Sequence, residues 1–400
     1  MIVQRKAYLD ELLSFKDSEF IKAITGIRRS GKSSLLLMYR DYLRSIKVPE
    51  EQIIYINFEA LESYKLLTEE TLSQYLVEHS SKDVKMYYLF DEIQFVQGWE
   101  AVINGLRVSF DSDITVTGSN AQLLAGEYAT LLTGRFVSIE VYPLSFKEFL
   151  DFKQIETNDT RKIIEMFMEY RQYGGFPAVV LADQRLKDTI LSGIFDSILL
   201  NDVGQHHAVK DVTTLQAISR FLMFNVGQII SVNKISNTLT SAGFKVSVPT
   251  VARYLDSLKD SFLFYIASRY DIRGKEYLKN KPKYFVADTG LRNIALGKFG
   301  ENRGSELENI VYIELKRRGY KVDVGQLVND TEVDFIARKG NEILYVQVTQ
   351  QIPETSDRET DNLIMLPGQY QKLLITGVSA SPYTIEGVPV ISVYDWLLQN

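Results

Sequence analysis

Length, composition and charge already exclude several classes of protein. The 400 residues are 45% apolar, 24% charged and 12% aromatic, which excludes a mainly disordered or fibrous chain. The sequence contains no cysteine, so a disulfide scaffold, a zinc–thiolate site, an iron–sulfur cluster and a cysteine nucleophile are excluded as well. The net charge is −6, no signal-peptide pattern is visible, and no apolar run reaches the roughly 18–20 residues that span a bilayer. We therefore expect a soluble cytoplasmic protein of two to four domains with no membrane partner.

The first third of the chain alternates short apolar runs with helical patterns. In chain order, the apolar runs lie at residues 21–25, 53–58, 85–90, 114–117 and 136–141. Strands separated by helical patterns predict an α/β fold, with a parallel sheet and helices on both of its faces.

The remainder of the chain divides into three further stretches. From about Pro143 to Val203 the periodicity is helical, with a breaker at 173–177. Residues 213–242 are predicted as helices interrupted by a short strand at 229–235. From about Asp288 onward, strand-like runs such as EILYVQVT, KLLIT and PVISVYD return around a helix near 306–318.

A glycine-rich loop gives the strongest chemical signal. Residues 26–33, GIRRSGKS, match the phosphate-binding pattern G-x-x-x-x-G-K-[ST], with a strand before them and an amphipathic helix after them. Such loops surround phosphate with backbone N–H groups at a helix N terminus, while Lys32 reaches the β- and γ-phosphates of ATP and Ser33 ligates Mg²⁺. The remaining residues of the predicted nucleotide-binding set are Gly26, Arg28, Arg29, Ser30, Gly31 and Ser34. The two arginines are unusual in such a loop, and contact either phosphate or another part of the chain.

A second apolar strand ends in two acidic residues, Asp91 and Glu92. This pattern matches a Walker B element, in which the first carboxylate holds Mg²⁺ through water. The second carboxylate polarises the attacking water and so acts as the catalytic base.

Two further residues are candidates for the hydrolytic reaction. Asn120 follows a strand that we expect between the two Walker strands, where a polar residue senses the γ-phosphate; Ser119 is the alternative. Arg135 precedes the last strand of this region, and is either an arginine finger for a neighbouring subunit or a surface residue.

Together these segments resemble a family of AAA+ ATPases of bacteria and archaea that carry an uncharacterised nuclease-like C-terminal domain. The resemblance rests on GIRRSGKSSLL, INFE, YYLFDEIQ, WE, TGSN, TGRFV, PLSFKEFL and YGGFP, and it runs over nearly the whole chain. It implies a P-loop ATPase core at 1–145, a helical lid at 146–204, a winged helix at 205–286 and a restriction-endonuclease-like domain at 287–400.

The middle of the chain is basic. Between Gln205 and Tyr284 there are twelve Lys or Arg and five Asp or Glu, a net +7, which leaves −13 for the rest. Two helices followed by a basic turn between strand-like runs are typical of a winged helix, which binds double-stranded DNA. Candidate DNA contacts are Lys245, Arg253, Lys259, Arg273 and Lys275. An acidic protein partner or a solvated face explains the same charge.

The last region resembles the PD-(D/E)xK nucleases. Glu308 and Asp334 match two of their metal-ligand positions and Gln347 a third, while Thr349 stands where these enzymes have lysine. Without that positive charge, and with one carboxylate replaced by an amide, we expect a vestigial and inactive site.

Three functions remain open from the sequence. The first is an Mg²⁺-dependent ATPase coupled to DNA, which forms a homo-oligomer if Arg135 acts in trans. The second is a signalling switch that uses ATP to bind and release a partner protein. The third is an ATP-regulated nuclease.

Overall fold

The structure is a computed structural model. It describes residues 5–121, 134–156, 159–203, 211–272, 274–278, 281–297, 303–327, 331–352, 358–366, 370–378 and 382–399. The chain forms two compact units. The first comprises Met1–Tyr142 with Asp260–Phe262, and the second comprises Pro143–Lys259 with Leu263–Asn400.

The first unit contains a five-stranded parallel sheet in the order β2-β3-β4-β1-β5. Its strands are β1 (Ile21–Thr25), β2 (Ile53–Asn57), β3 (Met86–Asp91), β4 (Ser112–Gly118) and β5 (Phe136–Glu140). Its helices are α1 (Lys6–Ser14), α2 (Lys32–Ser45), α3 (Glu69–His79) and α4 (Trp99–Ser109). The predicted parallel α/β sheet is therefore confirmed, within a residue or two at most strand ends.

Both faces of this sheet are covered, as the alternation along β3 illustrates. Tyr88 and Phe90 point into one apolar cluster, with Ile103 of α4. Tyr87 and Leu89 point into the other, with α2. Because successive strand residues face opposite sides, a continuous apolar run is the pattern of a strand buried on both faces.

The second unit begins with helices. They are α5 (Phe146–Phe152), α6 (Thr160–Tyr173), α7 (Pro177–Val180), α8 (Lys187–Ser197), α9 (Val212–Phe224), α10 (Val232–Ser241) and α11 (Val248–Asp260). The sequence between α11 and the last region forms β6 (Phe264–Ala267), β7 (Arg269–Asp271), β8 (Glu276–Tyr277) and β9 (Lys283–Val286). The strands β6 and β9 pair antiparallel.

An eight-stranded mixed sheet follows, in the order β14-β15-β13-β12-β11-β10-β7-β8. Its remaining strands are β10 (Lys321–Gln326), β11 (Glu332–Lys339), β12 (Glu342–Thr349), β13 (Gln371–Thr376), β14 (Tyr383–Ile385) and β15 (Val388–Ser392). The accompanying helices are α12 (Thr289–Leu296), α13 (Arg303–Arg317), α14 (Arg358–Ile364) and α15 (Val393–Leu398). No helix among the described residues is long and apolar enough to cross a membrane.

Two predictions for the middle of the chain are wrong. The strand predicted at 229–235 is replaced by α10, which starts at Val232 because the Ser231 hydroxyl caps it by accepting the N–H of Lys234 at 3.2 Å. The basic turn predicted between β6 and β9 contains β7 and β8, which extend the eight-stranded sheet. Tyr270 packs there on Tyr277, with ring centroids 5.2 Å apart.

The end of the predicted run PVISVYD is also not strand. The Ser392 hydroxyl accepts the N–H of Asp395 and starts α15 at Val393. Capping residues therefore decided two of these three differences, since a serine in front of an apolar segment is compatible with either structure until its hydrogen bond is known.

Candidate functional site

The glycine-rich loop joins β1 to α2 at the carboxyl end of the parallel sheet. Gly26 has a φ of 133°, and a Cβ there would lie 2.2 Å from the carbonyl oxygen of Val141, so two backbones approach too closely for any side chain. Gly31, with a φ of 106°, immediately precedes α2. The loop thus ends at the N terminus of a helix, which is an arrangement that binds phosphate.

Lys32 is the first residue of α2 and is only 4% exposed. Its Nζ donates hydrogen bonds to the carbonyl oxygens of Gly26 at 3.0 Å and Ile27 at 3.2 Å. These bonds hold the ammonium group against the loop, where its charge complements an anionic phosphate.

Ser33 and Asp91 meet although they are far apart in sequence. Ser33 Oγ donates to Asp91 Oδ1 at 3.0 Å, and Thr117 Oγ1 donates to the same oxygen at 2.6 Å. Asn57 Nδ2 donates to the other carboxylate oxygen at 3.2 Å. Burial raises the pKa of Asp91, and hydrogen bonds from Thr117 and Ser33 only partly offset this effect. A cation bound here would stabilise the ionised carboxylate.

Glu92 directly follows β3 and has a left-handed backbone conformation, with a φ of 55°. Its N–H donates to Thr117 Oγ1 at 2.9 Å, which fixes the backbone at this turn. Gln94 Nε2 donates to Glu92 Oε2 at 2.5 Å, so one carboxylate oxygen is engaged by a neighbouring amide. A non-glycine residue in this conformation is costly and occurs most often at functional sites.

Comparison with known proteins identifies the family. A family model described as an AAA domain matches residues 18–150, and one described as a domain of unknown function (DUF8612) matches residues 164–302. An uncharacterized protein of Haemophilus influenzae is 54% identical over 400 residues, covering 100% of this chain and 99% of that protein. Uncharacterized protein MJ1544 of Methanocaldococcus jannaschii is 30% identical over 385 residues, covering 94% of this chain and 85% of that protein. The chain belongs to the same family as these two proteins.

A solved structure supports the same conclusion at the level of the fold. The Walker-type ATPase PABY2304 of Pyrococcus abyssi matches with a TM-score of 0.50 and 15% identity, over 74% of this chain and 96% of that chain. The AAA domain supports an AAA+ ATPase, and this solved structure supports the P-loop ATPase fold.

The donor set of this AAA+ site fits Mg²⁺. A hydroxyl oxygen of Ser33 and a carboxylate oxygen of Asp91, 3.0 Å apart, are the hard ligands that Mg²⁺ prefers, and the ion takes its other ligands from phosphate and water. In the described part of the chain, no group of three or more His, Asp or Glu side chains is placed to hold a metal.

The other predicted loop residues have different surroundings. Arg28 forms an ion pair with Glu59 at 3.0 Å and thus contacts another part of the chain. Arg29 is exposed and has a φ of 65°, Ser30 is buried, and Ser34 is exposed in the first turn of α2.

Asn120 follows β4, and β4 lies between β3 and β1 as expected. Asn120 is 4% exposed and the alternative residue, Ser119, is 2% exposed. Its sensor role stays a prediction.

Arg135 lies at the opposite end of the sheet from the loop. It directly precedes β5, and its carbonyl oxygen accepts the N–H of Ile21 at the start of β1. The phosphate-binding loop follows the other end of β1, about 16 Å away at the usual rise of a strand. Because its own loop is that far away, the predicted role of Arg135 as an arginine finger requires a second subunit. Arg135 is exposed.

The nuclease-like residues lie in the second unit. Asp334 Oδ2 accepts the N–H of Val348 at 2.8 Å, and the N–H of Asp334 donates to Gln347 Oε1 at 3.3 Å, so β11 and β12 bring these two residues together. Glu308 is half-buried on α13. Thr349 donates to the carbonyl oxygen of Gln351 at 2.9 Å.

Lys283 of β9 joins this group, which the sequence did not predict. Its Nζ lies 3.2 Å from a Glu332 oxygen, and Arg269 lies 3.3 Å from the other. Burial disfavours the charged form of Lys283, but the carboxylates of Glu308, Asp334 and Glu332 outweigh burial and raise its pKa. A positive charge is therefore present near the predicted metal ligands, supplied by a distant strand.

The candidate DNA contacts are only partly brought together. Arg253 and Lys259 are exposed on α11, and Lys245 is exposed in the segment before that helix. Lys275 is exposed between β7 and β8, while Arg273 lies outside the described residues.

Sequence reasoning missed Thr117, Gln94 and Lys283. Thr117 and Gln94 stand next to predicted motifs, in TGSN and DEIQ, so their proximity to Asp91 and Glu92 was the available signal. Lys283 had no local signal, because its partners come from α13 and β11.

Proposed function

We propose that this protein is an Mg²⁺-dependent AAA+ ATPase that couples its ATP state to DNA binding. The contact between Ser33 and Asp91, with Glu92 beside it, carries the proposal. Lys32 and the rest of the loop bind the phosphates, Ser33 and Asp91 hold Mg²⁺, and Glu92 polarises the attacking water. Asn120 senses the γ-phosphate. Bound Mg²⁺ neutralises charge on the phosphates.

The DNA part of the proposal rests on the net charge of +7 between Gln205 and Tyr284. In this proposal residues 146–204 form a lid and residues 205–286 a winged helix, with Lys245, Arg253 and Lys259 as DNA contacts on or beside its recognition helix.

A protein-binding switch is the second candidate function. Arg269 and Lys283 both form ion pairs with Glu332, so part of the positive charge in this region is neutralised within the chain. Less charge is then left for DNA than the composition suggests.

ATP hydrolysis with and without duplex DNA distinguishes the two functions. We expect DNA to stimulate hydrolysis at low salt and to lose this effect at high salt, because contacts with phosphate release counterions. Glu92→Gln is the control that identifies the hydrolysis as this protein's own. Hydrolysis that is indifferent to DNA at both salt concentrations would favour the protein-binding switch.

A charge-matched pair of variants locates the DNA surface. We expect replacement of Lys245, Arg253 and Lys259 by glutamine to remove the stimulation while basal hydrolysis stays unchanged. The same replacement at the exposed residues Lys65, Lys82 and Arg185 keeps the net charge equal and should preserve the stimulation.

We also propose that Arg135 acts in trans within a homo-oligomer. Subunits with Arg135→Ala keep an intact loop, and subunits with Lys32→Ala keep an intact arginine. Mixing the two inactive variants should restore part of the hydrolysis. No recovery in a mixture that forms mixed oligomers would contradict the proposal.

Finally, we propose that the site at 287–400 does not cleave DNA. Thr349 carries no charge, and Lys283 is engaged by Glu332. We expect no cleavage of duplex or single-stranded DNA with Mg²⁺ or Mn²⁺, and cleavage by Thr349→Lys. Cleavage by the wild type that disappears in Lys283→Met would instead make Lys283 the functional lysine of an active nuclease.

A further inference from the structure

Arg5 connects the phosphate-binding loop to the residue at which the main segment of the first unit ends. Its Nη1 donates to the carbonyl oxygen of Ser30 at 3.0 Å and to that of Tyr142 at 2.8 Å. Arg5 is only 3% exposed. One guanidinium group therefore joins the loop to Tyr142, which is the last residue of the first unit's main segment.

Tyr8 completes this connection one helical turn later. The guanidinium carbon of Arg5 lies 4.4 Å from the centroid of the Tyr8 ring. Tyr8 Oη accepts the N–H of Tyr142 at 3.3 Å. Both backbone polar groups of Tyr142 are thus held by the beginning of α1.

Arg5 Nη1 lies beside the glycine that ends the loop. A Cβ built on Gly31 has Arg5 Nη1 as its nearest neighbour, at 4.0 Å. Ser30, whose carbonyl Arg5 binds, lies between Arg29 and Gly31 in the loop that wraps phosphate. Any movement of the loop upon nucleotide binding changes the geometry of a charge-assisted hydrogen bond, which is stronger and more directional than a neutral one.

We propose that Arg5 is a positioning residue that transmits nucleotide occupancy from the loop to Tyr142, where the chain leaves the first unit. The inference rests on the proposed function, since it requires that the loop bind ATP. By linkage, a contact that senses the bound loop must also favour nucleotide binding. Arg5 does not need to touch the reacting atoms for this role.

Hydrogen exchange of the full chain with and without an unhydrolysable ATP analogue tests this role. In the wild type, the analogue should slow exchange roughly tenfold at residues 26–34 and also at residues 136–142. Arg5→Lys keeps the charge, but its side chain ends one bond short of the position of Nη1, the single nitrogen that donates to both carbonyl groups. It should keep the slowing at 26–34 and lose it at 136–142.

Tyr8→Phe is the matched milder variant, because it removes only the hydroxyl group that binds Tyr142. It should reduce the effect at 136–142 partly, and it carries the test if Arg5→Lys does not fold. A purely structural role would speed exchange in both segments to the same extent with and without the analogue. That result, or a full response at 136–142 in both variants, would overturn the inference. No slowing at 26–34 in the wild type would instead contradict nucleotide binding itself.

Discussion

In the first unit, the buried Asp91 accepts its hydrogen bonds from two hydroxyl groups and an amide, none of which is charged. In the second unit, the buried Glu306 lies between two guanidinium groups. Arg171 and Arg292 each approach one of its oxygens to 2.8 Å. Asp91 and Glu306 are therefore surrounded in opposite ways.

This difference distinguishes Asp91, a carboxylate that accepts hydrogen bonds from uncharged groups, from Glu306, a carboxylate that two arginines neutralise. In the proposed function, the negative charge of Asp91 is left for a cation that arrives with the nucleotide, whereas the charge of Glu306 is neutralised within the fold. Burial accordingly raises the pKa of Asp91. The proposed function requires that the charge of Asp91 be poorly compensated within the fold, whereas stability requires that the charge of Glu306 be compensated.

The largest expected effect is the loss of stability on removing the charge of Glu306, and removal of the charge of Asp91 is the comparison. Glu306→Gln leaves two buried guanidinium groups without their counterion and should destabilise the second unit by about 3–5 kcal/mol. Asp91→Asn removes a charge that burial already disfavours, and should change the stability of the first unit by less than about 1 kcal/mol.

Urea unfolding at pH 7 measures both effects separately, because the chain has two tryptophans, Trp99 in the first unit and Trp396 in the second. Single-tryptophan variants, Trp99→Phe or Trp396→Phe, assign each transition to a unit. Equal losses of stability for Asp91→Asn and Glu306→Gln would remove the distinction between the two surroundings.

The next effect is a pH dependence of the stability of the second unit, which we expect to be somewhat smaller than the effect of Glu306→Gln. Asp288 accepts the N–H groups of Gly175 at 2.7 Å and Gly290 at 2.8 Å, and burial raises its pKa from 3.8 to about 6. The folded carboxyl group therefore binds a proton more tightly than the unfolded one, and stability is lost as the pH rises from about 4 through about 6. The loss should reach about 3 kcal/mol. Unfolding at each pH is measured by the fluorescence of Trp396.

Asp288→Asn is the control for this titration. It lowers stability at every pH by weakening the acceptor of two N–H groups, but it should flatten the slope between pH 4 and 7. A slope that is identical in the variant would assign the titration to another group.

The smallest expected effect concerns the hydrogen bond between Gln94 and Glu92. Gln94→Leu frees the carboxylate oxygen that the amide occupies, and should raise kcat about two- to fivefold with little change in KM. Steady-state hydrolysis measures this change, with Gln97→Leu as a control in the same segment. A lower kcat in Gln94→Leu would mean that the amide positions Glu92 instead of restraining it.

Sequence reasoning anticipated the structure where the pattern is local. The loop at 26–33 and the pair Asp91 and Glu92 are contiguous patterns, and the parallel sheet follows from strands that alternate with helices. Because strands of a parallel sheet end at the same edge, Ser33 and Asp91 could be expected to meet although 58 positions separate them.

Elsewhere the decisive contacts are long-range and have no local pattern. Residues 269–271 become strand because β10 offers them a pairing partner, and residues 276–277 pair with that strand in turn. Lys283 gains its role from Glu332, Glu308 and Asp334, which lie on other elements. Arg5 is a single residue before α1, and nothing in its surrounding sequence indicates that it reaches Ser30 and Tyr142.

The central claim is that the first unit binds ATP at the loop and hydrolyses it with Glu92. The most direct test measures binding and hydrolysis separately in the wild type, Lys32→Ala and Glu92→Gln, with Mg²⁺ present. Lys32→Ala should weaken binding at least about 100-fold, and Glu92→Gln should bind ATP as the wild type does while its hydrolysis falls at least about 100-fold. A wild-type protein that binds no ATP, or a Glu92→Gln variant that hydrolyses it at the wild-type rate, would contradict the claim.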